Sequence, residues 1–231
     1  MTVEQLRAGR RTRGWSQQHA AARLGVSQSY LSMLEKGKRA LPGALARKAA
    51  GLYRLPPAAL PLGRRQFTPA PVDPQVLAEE LAALGYPGFA YLHRRRRTGR
   101  RNPAETLLAA LAQNDLEART AEALPWLLLA HPDLDAAWLA EEAHRHNLQN
   151  RLGFMVALTR ELAVRGQLSH ARQLADLEAS LERSRLAVED TFCQASLTPT
   201  EGRWLRKKRS KLARHWNLLT DWSSVFLRYA A

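Results

Sequence analysis

Gln28, Ser29 and Ser32 stand within a nine-residue run from Ser27 to Glu35, and Lys36, Lys38 and Arg39 follow directly. A glutamine amide carries a donor and an acceptor side by side, which matches the N6/N7 pair of adenine. The lysines and arginines, with Arg11 and Arg13 nearby, can neutralise phosphates and release condensed counterions. The chemistry within reach of these residues is recognition of a polyanion through hydrogen bonds and charge.

Helices must position these groups. Val3–Arg11 reads as a short basic amphipathic helix. Ser16 is placed to cap a second helix, with Ala20, Ala21 and Leu24 facing inward. Gly25 ends it, because a chain that must turn at once favours the left-handed conformation glycine adopts most cheaply. Val26 is expected to be buried in the turn. Ser27 caps a third helix whose core side carries Leu31 and Leu34, which leaves Gln28, Ser29 and Ser32 outside near its N-terminus. The amides of that terminus favour phosphate, so Ser27 joins the phosphate-contacting set. Pro42 opens a fourth helix that reaches Leu52.

From Ser16 to Arg39 the pattern is Ser-Gln-x-x-x-Ala-x-x-Leu-Gly-Val-Ser-x-x-x-Leu-Ser-x-x-Glu-x-Gly-x-Arg. It resembles the phage repressor/Cro (xenobiotic-response-element) family of helix-turn-helix domains. The resemblance covers about a quarter of the chain. It implies a five-helix domain that docks its third helix in the major groove of double-stranded DNA, usually as a dimer on a palindrome. Carried over by position, Gln17 would hydrogen-bond a backbone phosphate, and Gln28, Ser29 and Ser32 would face base edges. Arg10 and Glu35 would tie the first helix to the end of the third. Ala20 departs from the larger apolar residue common in the family.

Composition agrees with a nucleic-acid partner. The 231 residues carry 35 Lys+Arg against 21 Asp+Glu, a net charge of +14, and the pI is near 10.9. Residues 1–68 hold 13 Lys/Arg and 2 acidic residues, so most of the excess sits in the first third. With 45% hydrophobic and 24% charged residues, the chain reads as globular. The longest run lacking polar side chains other than tyrosine, Leu81–Leu92, is broken by Gly85, Pro87 and Gly88, which excludes a membrane span there. The N-terminal segment has no signal-peptide core, and Cys193, the one cysteine, fits a reducing compartment; the expected location is cytoplasmic.

Six of the twelve prolines fall between Pro56 and Pro74. The expected organisation is a DNA-binding domain over 1–63, a proline-rich linker over 64–73 and an α-helical regulatory or dimerisation domain over 74–231. The fold class is all-α. Asp73-Pro74 and Asn102-Pro103 read as helix starts, and Thr198-Pro-Thr-Glu201 as a capping box. Further helices are predicted over Leu124–Ala130, Leu134–His146, Leu148–Val164 and Leu168–Leu186.

The second domain shows no catalytic constellation. His-Glu-x-x-His is absent, Cys193 has no local base, and the segment lacks the strands of a self-cleaving serine–lysine domain. His131, His144, His146, Glu141 and Glu142 invite a metal, but residues two apart on a helix do not share a face. No metal, cofactor or enzymatic activity is expected.

Two basic clusters remain. Arg94, Arg95, Arg96, Arg97, Arg100 and Arg101 read as a solvated loop, or as a second phosphate-contacting arm. Residues 203–214 read as one amphipathic helix, with Leu205, Leu212 and Trp216 on one face and Arg203, Lys207, Lys211 and Arg214 opposite, either a surface for DNA flanking the operator or an acidic protein, or the solvated outer face of a core helix. Trp126 and Trp138 are expected in the core. The tail from Trp216 to Tyr229 reads as a terminal apolar helix packed on that core.

The functional expectation is a sequence-specific DNA-binding regulator, a dimeric autorepressor on a palindromic operator. One alternative is an antitoxin whose second domain neutralises a partner protein, a toxin or defence-operon product, through the acidic stretch 116–190 or the arginine loop. Another is a peptide- or ligand-sensing regulator with Asn147, Gln149 and Asn150 lining a groove.

Overall fold

A computed structural model describes residues 1–62, 67–95 and 101–224, with the backbone alone at 93–95. Arg96, Arg97 and Arg100, the linker residues 64–66 and the tail residues 225–231 lie outside the described residues, as do the side chains of Arg94 and Arg95. The chain divides into two compact units, Met1–Gln66 and Phe67–Ala231.

The first unit is built from α1 (Val3–Thr12), α2 (Gln17–Leu24), α3 (Gln28–Glu35) and α4 (Gly43–Tyr53). The fifth element is a single 3-10 turn, Pro57–Ala59, because Leu60 precedes Pro61 and is pushed to an extended ψ of 142°. Each helix start has a local cause. Thr2 and Gln5 form a capping box on α1, Ser16 accepts from the His19 amide, and Ser27 accepts from the Tyr30 amide. Gly25 takes a φ of 74°, which lets α2 stop and the chain turn into α3. Leu6, Leu24, Leu31, Leu34 and Tyr53 meet in the core with Ala20 and Ala21, and Val26 is half-buried against them. The small Ala20 is fully buried among these neighbours.

The second unit comprises α5 (Pro74–Leu84), a kinked 3-10 segment (Pro87–Arg95), α6 (Pro103–Leu111), α7 (Ala118–Ala130), α8 (Ala136–Arg145), α9 (Gln149–Arg165), α10 (Ala171–Glu182), α11 (Pro199–Lys208) and α12 (Lys211–His215). Two short strands, β1 (Asp190–Thr191) and β2 (Leu218–Leu219), pair in parallel. Asp73, Asn102 and Thr198 cap α5, α6 and α11. α7 begins six residues before the predicted Leu124 and carries Pro125 inside it.

Helix α9 is the centre of this unit. Every residue from Gln149 to Thr159 is buried, and α6, α7, α8, α10 and α12 all pack against it. Gln149 donates to the Ser184 carbonyl at 3.0 Å, and Asn150 exchanges two bonds of 2.9 Å with the Leu186 backbone. Both amides thus bond to the chain after α10, while Gln149 Oε1 is buried without a hydrogen-bond partner among the described residues. Trp126 and Trp138 are half-buried rather than core.

The basic segment 203–214 is two helices, not one. Ser210 accepts from the Ala213 amide and starts α12, while Arg209 takes an extended ψ of 142° and ends α11. The tail helix predicted from Trp216 does not form over 216–224. Asn217 adopts a φ of 53°, stops α12 after little more than a turn, and hands Leu218–Leu219 to the strand pair.

Trp216 is fully buried and lies across Gly153 of α9, where an added Cβ would come within 2.3 Å of its ring. Gly153→Ala is therefore expected to destabilise the second unit by about 1–3 kcal/mol through overpacking. Gly202→Ala in α11, where a Cβ meets nothing within 4 Å, is expected to stabilise it by about 0.4–1 kcal/mol. Denaturant unfolding of both variants checks the opposite signs.

Candidate nucleic-acid interface

The interface is built on a buried ion pair. Arg10, near the end of α1, donates from Nε to Glu35 Oε1 at 2.6 Å and from Nη2 to Oε2 at 2.9 Å. Its Nη1 reaches the Trp15 carbonyl at 2.7 Å. Arg10 is 9% exposed and Glu35 4%. One arginine thus fixes α1 to the end of α3 and to the segment leading into α2.

Glu35 passes this order outward. Its Oε2 also accepts from Gln17 Nε2 at 2.9 Å, and Gln17 Oε1 accepts from Gln28 Nε2 at 3.3 Å. A hydrogen-bonded line therefore runs from the buried guanidinium through Glu35 and Gln17 to Gln28, the first residue of α3. Gln28 and Ser29 are exposed and Ser32 is half-buried, so all three present polar atoms on the accessible side of α3. Ser27 is exposed, with its oxygen engaged as the cap.

Exposed cations follow α3 in the chain and also stand on α1. Lys36, Lys38, Arg39 and Arg11 are exposed. Gly37, with a φ of 71°, turns the chain so that Lys38 and Arg39 leave the helix axis. Arg13 is half-buried, its guanidinium 5.8 Å from the Trp15 ring centroid. Arg23 stacks on the same ring at 5.3 Å and adds a cation that the linear pattern did not single out. Its only sequence signal was a basic residue two helical turns beyond an aromatic. Lys48 of α4 donates to the Leu24 carbonyl at 2.9 Å and satisfies the end of α2.

The second-unit candidates fare differently. Arg101 is committed to the buried Glu80 at 3.2 Å, so it is not a free member of a basic loop. Arg203, Lys207, Lys211 and Arg214 are exposed, and Arg203 donates to Thr200 Oγ1 at 3.1 Å. Cys193 is buried, with its thiol pushed up to about 11 by burial, so a reactive thiolate is disfavoured. No group of three or more His, Cys, Asp or Glu able to hold a metal occurs among the described residues. His144 is exposed, while His146 approaches Glu142 at 3.5 Å. No described helix is long and apolar enough to cross a membrane.

Burial alone would raise the Glu35 carboxyl. The hydrogen bonds from Arg10 and Gln17, with the charges of Arg10 and Arg7, outweigh it and hold Glu35 below its ordinary value. A depressed folded-state value contributes stability that is complete above the ordinary glutamate range and is lost as pH falls through the lower folded value. Acid unfolding of the first unit should therefore weaken in steepness in Glu35→Gln. Glu35→Ala, which strands Arg10 without a counter-charge, is expected to cost about 3–5 kcal/mol near neutral pH. Urea titrations across the acid range measure both.

Residues 6–60 match the helix-turn-helix family model, which covers about a quarter of the chain. No curated protein and no solved structure matches it. The matched segment contains the Arg10–Glu35 pair, the capped α2–α3 turn and the exposed polar start of α3. Residues 6–60 are therefore a helix-turn-helix domain, which supports a DNA-binding transcriptional regulator.

Proposed function

We propose that this protein reads a specific operator in double-stranded DNA as a homodimer, on a palindromic site, and represses transcription from it, including its own. The observation that carries this reading is the hydrogen-bonded line ending at Gln28. A base-reading side chain is useful only if its position is fixed before the base arrives, and here Gln17 and the buried Arg10–Glu35 pair supply that fixation. In this reading Gln28, Ser29 and Ser32 meet base edges. Lys36, Lys38, Arg39, Arg11, Arg13 and the Ser27 end of α3 meet phosphates, and Gln17 joins them. Dimerisation is assigned to the second unit, whose helices are numerous enough to provide a separate interface.

At least five of the twelve carboxylates in the acidic stretch 116–190 are committed to ion pairs within the chain, which weighs against the partner-neutralising alternative there. Glu142 is held by Arg145, Glu178 by Arg160, Glu182 by Arg185, Glu189 by Arg206 and Arg209, and Asp190 by Arg151. These carboxylates serve the fold rather than a docking partner.

Binding measured across a randomised operator library tests the reading. Gln28→Ala is expected to lower discrimination at one base position by about 1–3 kcal/mol, while Lys38→Ala weakens all duplexes by a similar factor and flattens the salt dependence. A Gln28→Ala protein with unchanged sequence preference would overturn it.

A further inference from the structure

We infer that the exposed face of α11 is a second, separate nucleic-acid site that takes a single strand, through unpaired bases on Trp204 and phosphates on the lysines beside it. The inference does not depend on how the first unit reads duplex DNA.

The seven basic residues of 203–214 divide into two sets. Arg206 and Arg209 turn to Glu189, Arg209 at 3.1 Å, and they fasten α11 to the chain before β1. Leu205 is buried and anchors the inner side of the helix. Arg203, Lys207 and Lys208 are exposed, and no acidic residue is paired with them among the described residues. Trp204 lies between them. It is three residues from Lys207 and four from Lys208, so on a helix it neighbours both. Arg203 and Lys207 are likewise one turn apart.

Trp204 is 52% exposed. A large aromatic left in water on a well-anchored helix leaves a flat apolar surface that the described residues do not cover. On the side of α11 that carries Gly202 and Arg206, each two positions from Trp204, lies an open groove of about 440 Å³, whose walls also include Leu197, Arg203 and Leu219. Arg203 lines the groove and stands next to the exposed face. Flat apolar area interleaved with cations at helical spacing complements a chain of alternating bases and phosphates.

The same features select a single strand over other polyanions. In a duplex the base faces are stacked on one another and closed to Trp204, so only the lysines would engage. A membrane surface would need a continuous apolar helix face to bury, but on α11 Leu205 is already inside the fold and Trp204 is the one large apolar side chain exposed. RNA and single-stranded DNA share the chemistry that this surface recognises.

Fluorescence anisotropy of the full-length protein tests this, with short labelled oligo(dT), oligo(U), a non-operator duplex and anionic phosphatidylglycerol vesicles as separate probes. Trp204→Ala is expected to weaken oligo(dT) or oligo(U) binding by about tenfold and to leave duplex binding unchanged, with Trp204→Phe restoring most of the loss. Lys207→Ala with Lys208→Ala should flatten the salt slope for the single strand by about 1.4. Lys38→Ala, in the first unit, should weaken the duplex and spare the single strand, so failure of one reading is distinguishable from failure of the other. A preference for oligo(U) over oligo(dT), or the reverse, identifies which strand is the ligand. Unchanged single-strand binding in Trp204→Ala, an equal loss on the duplex, or Trp204-dependent binding to vesicles in place of the oligonucleotides would overturn the proposal. Trp204 is exposed, and matching thermal unfolding of the variants excludes loss of fold as the cause.

Discussion

The first unit depends on one desolvated ion pair. Removing Arg10 and Glu35 from water costs several kcal/mol per charge, and Coulomb attraction alone would not reliably recover it. The pair stands because almost every polar atom has a partner: Arg10 donates to both carboxylate oxygens and to the Trp15 carbonyl, and Glu35 accepts from Gln17 as well. An apolar pair of similar volume could serve the core as well or better. It could not fix the azimuth of α3 about its own axis relative to α1, nor end in an oxygen that orients Gln17. The stability of the pair is secondary; what it supplies is a direction for the polar edge of the domain.

A second buried arginine organises the larger unit by the same logic. Arg151 lies inside α9, where nearly every neighbour is apolar, yet its guanidinium is filled. Nε and Nη2 grip Asp190 at 2.7 and 3.1 Å, and Nη1 meets the carbonyls of Leu111 and Gln113 at 3.0 and 2.9 Å. The Leu111 carbonyl is one of the open acceptors at the end of α6 and that of Gln113 follows just beyond it, so one planar fork caps a helix end, holds the strand segment and neutralises its own charge. Gln113 continues the chain of bonds to the backbone of Val72 and Ala70. Unit two is thus a central helix with a polar clasp at one end and Trp216 lying over Gly153 along its side.

What could be read from the sequence was what is local. Ser16, Ser27, Asn102 and Thr198 announce helix starts because a cap is a contact between a side chain and an amide two or three residues on. Gly25 announces a stop because its conformation is unusual for any other residue. Periodicity failed where two local choices competed. Ser210 fits the middle of an amphipathic pattern as well as an N-cap, and only the tertiary pull of Glu189 on Arg206 and Arg209 accompanies the break there. Asn217 could have continued a helix, and nothing near it in the chain says that Leu218 will pair with Asp190. The Gln28–Gln17–Glu35 line was equally hidden as geometry, since its members are 11 and 18 positions apart.

The charge excess changes meaning once the partners are known. A formal +14 counts every guanidinium as available. Arg10, Arg101, Arg145, Arg151, Arg160, Arg206 and Arg209 are each bound to a carboxylate of this chain. Arginine suits that internal work, because its fork can serve a carboxylate and a carbonyl at once and it stays charged when buried. The cations left to the solvent include Lys36 and Lys38 after α3 and Lys207 and Lys208 on α11. Those lysines are flexible point charges suited to phosphates whose positions vary. The division of labour between the two residue types, more than the net charge, distinguishes the two surfaces proposed for nucleic acid, each with cations beside a side chain able to recognise a base, a hydrogen-bonding glutamine on one and an aromatic ring on the other.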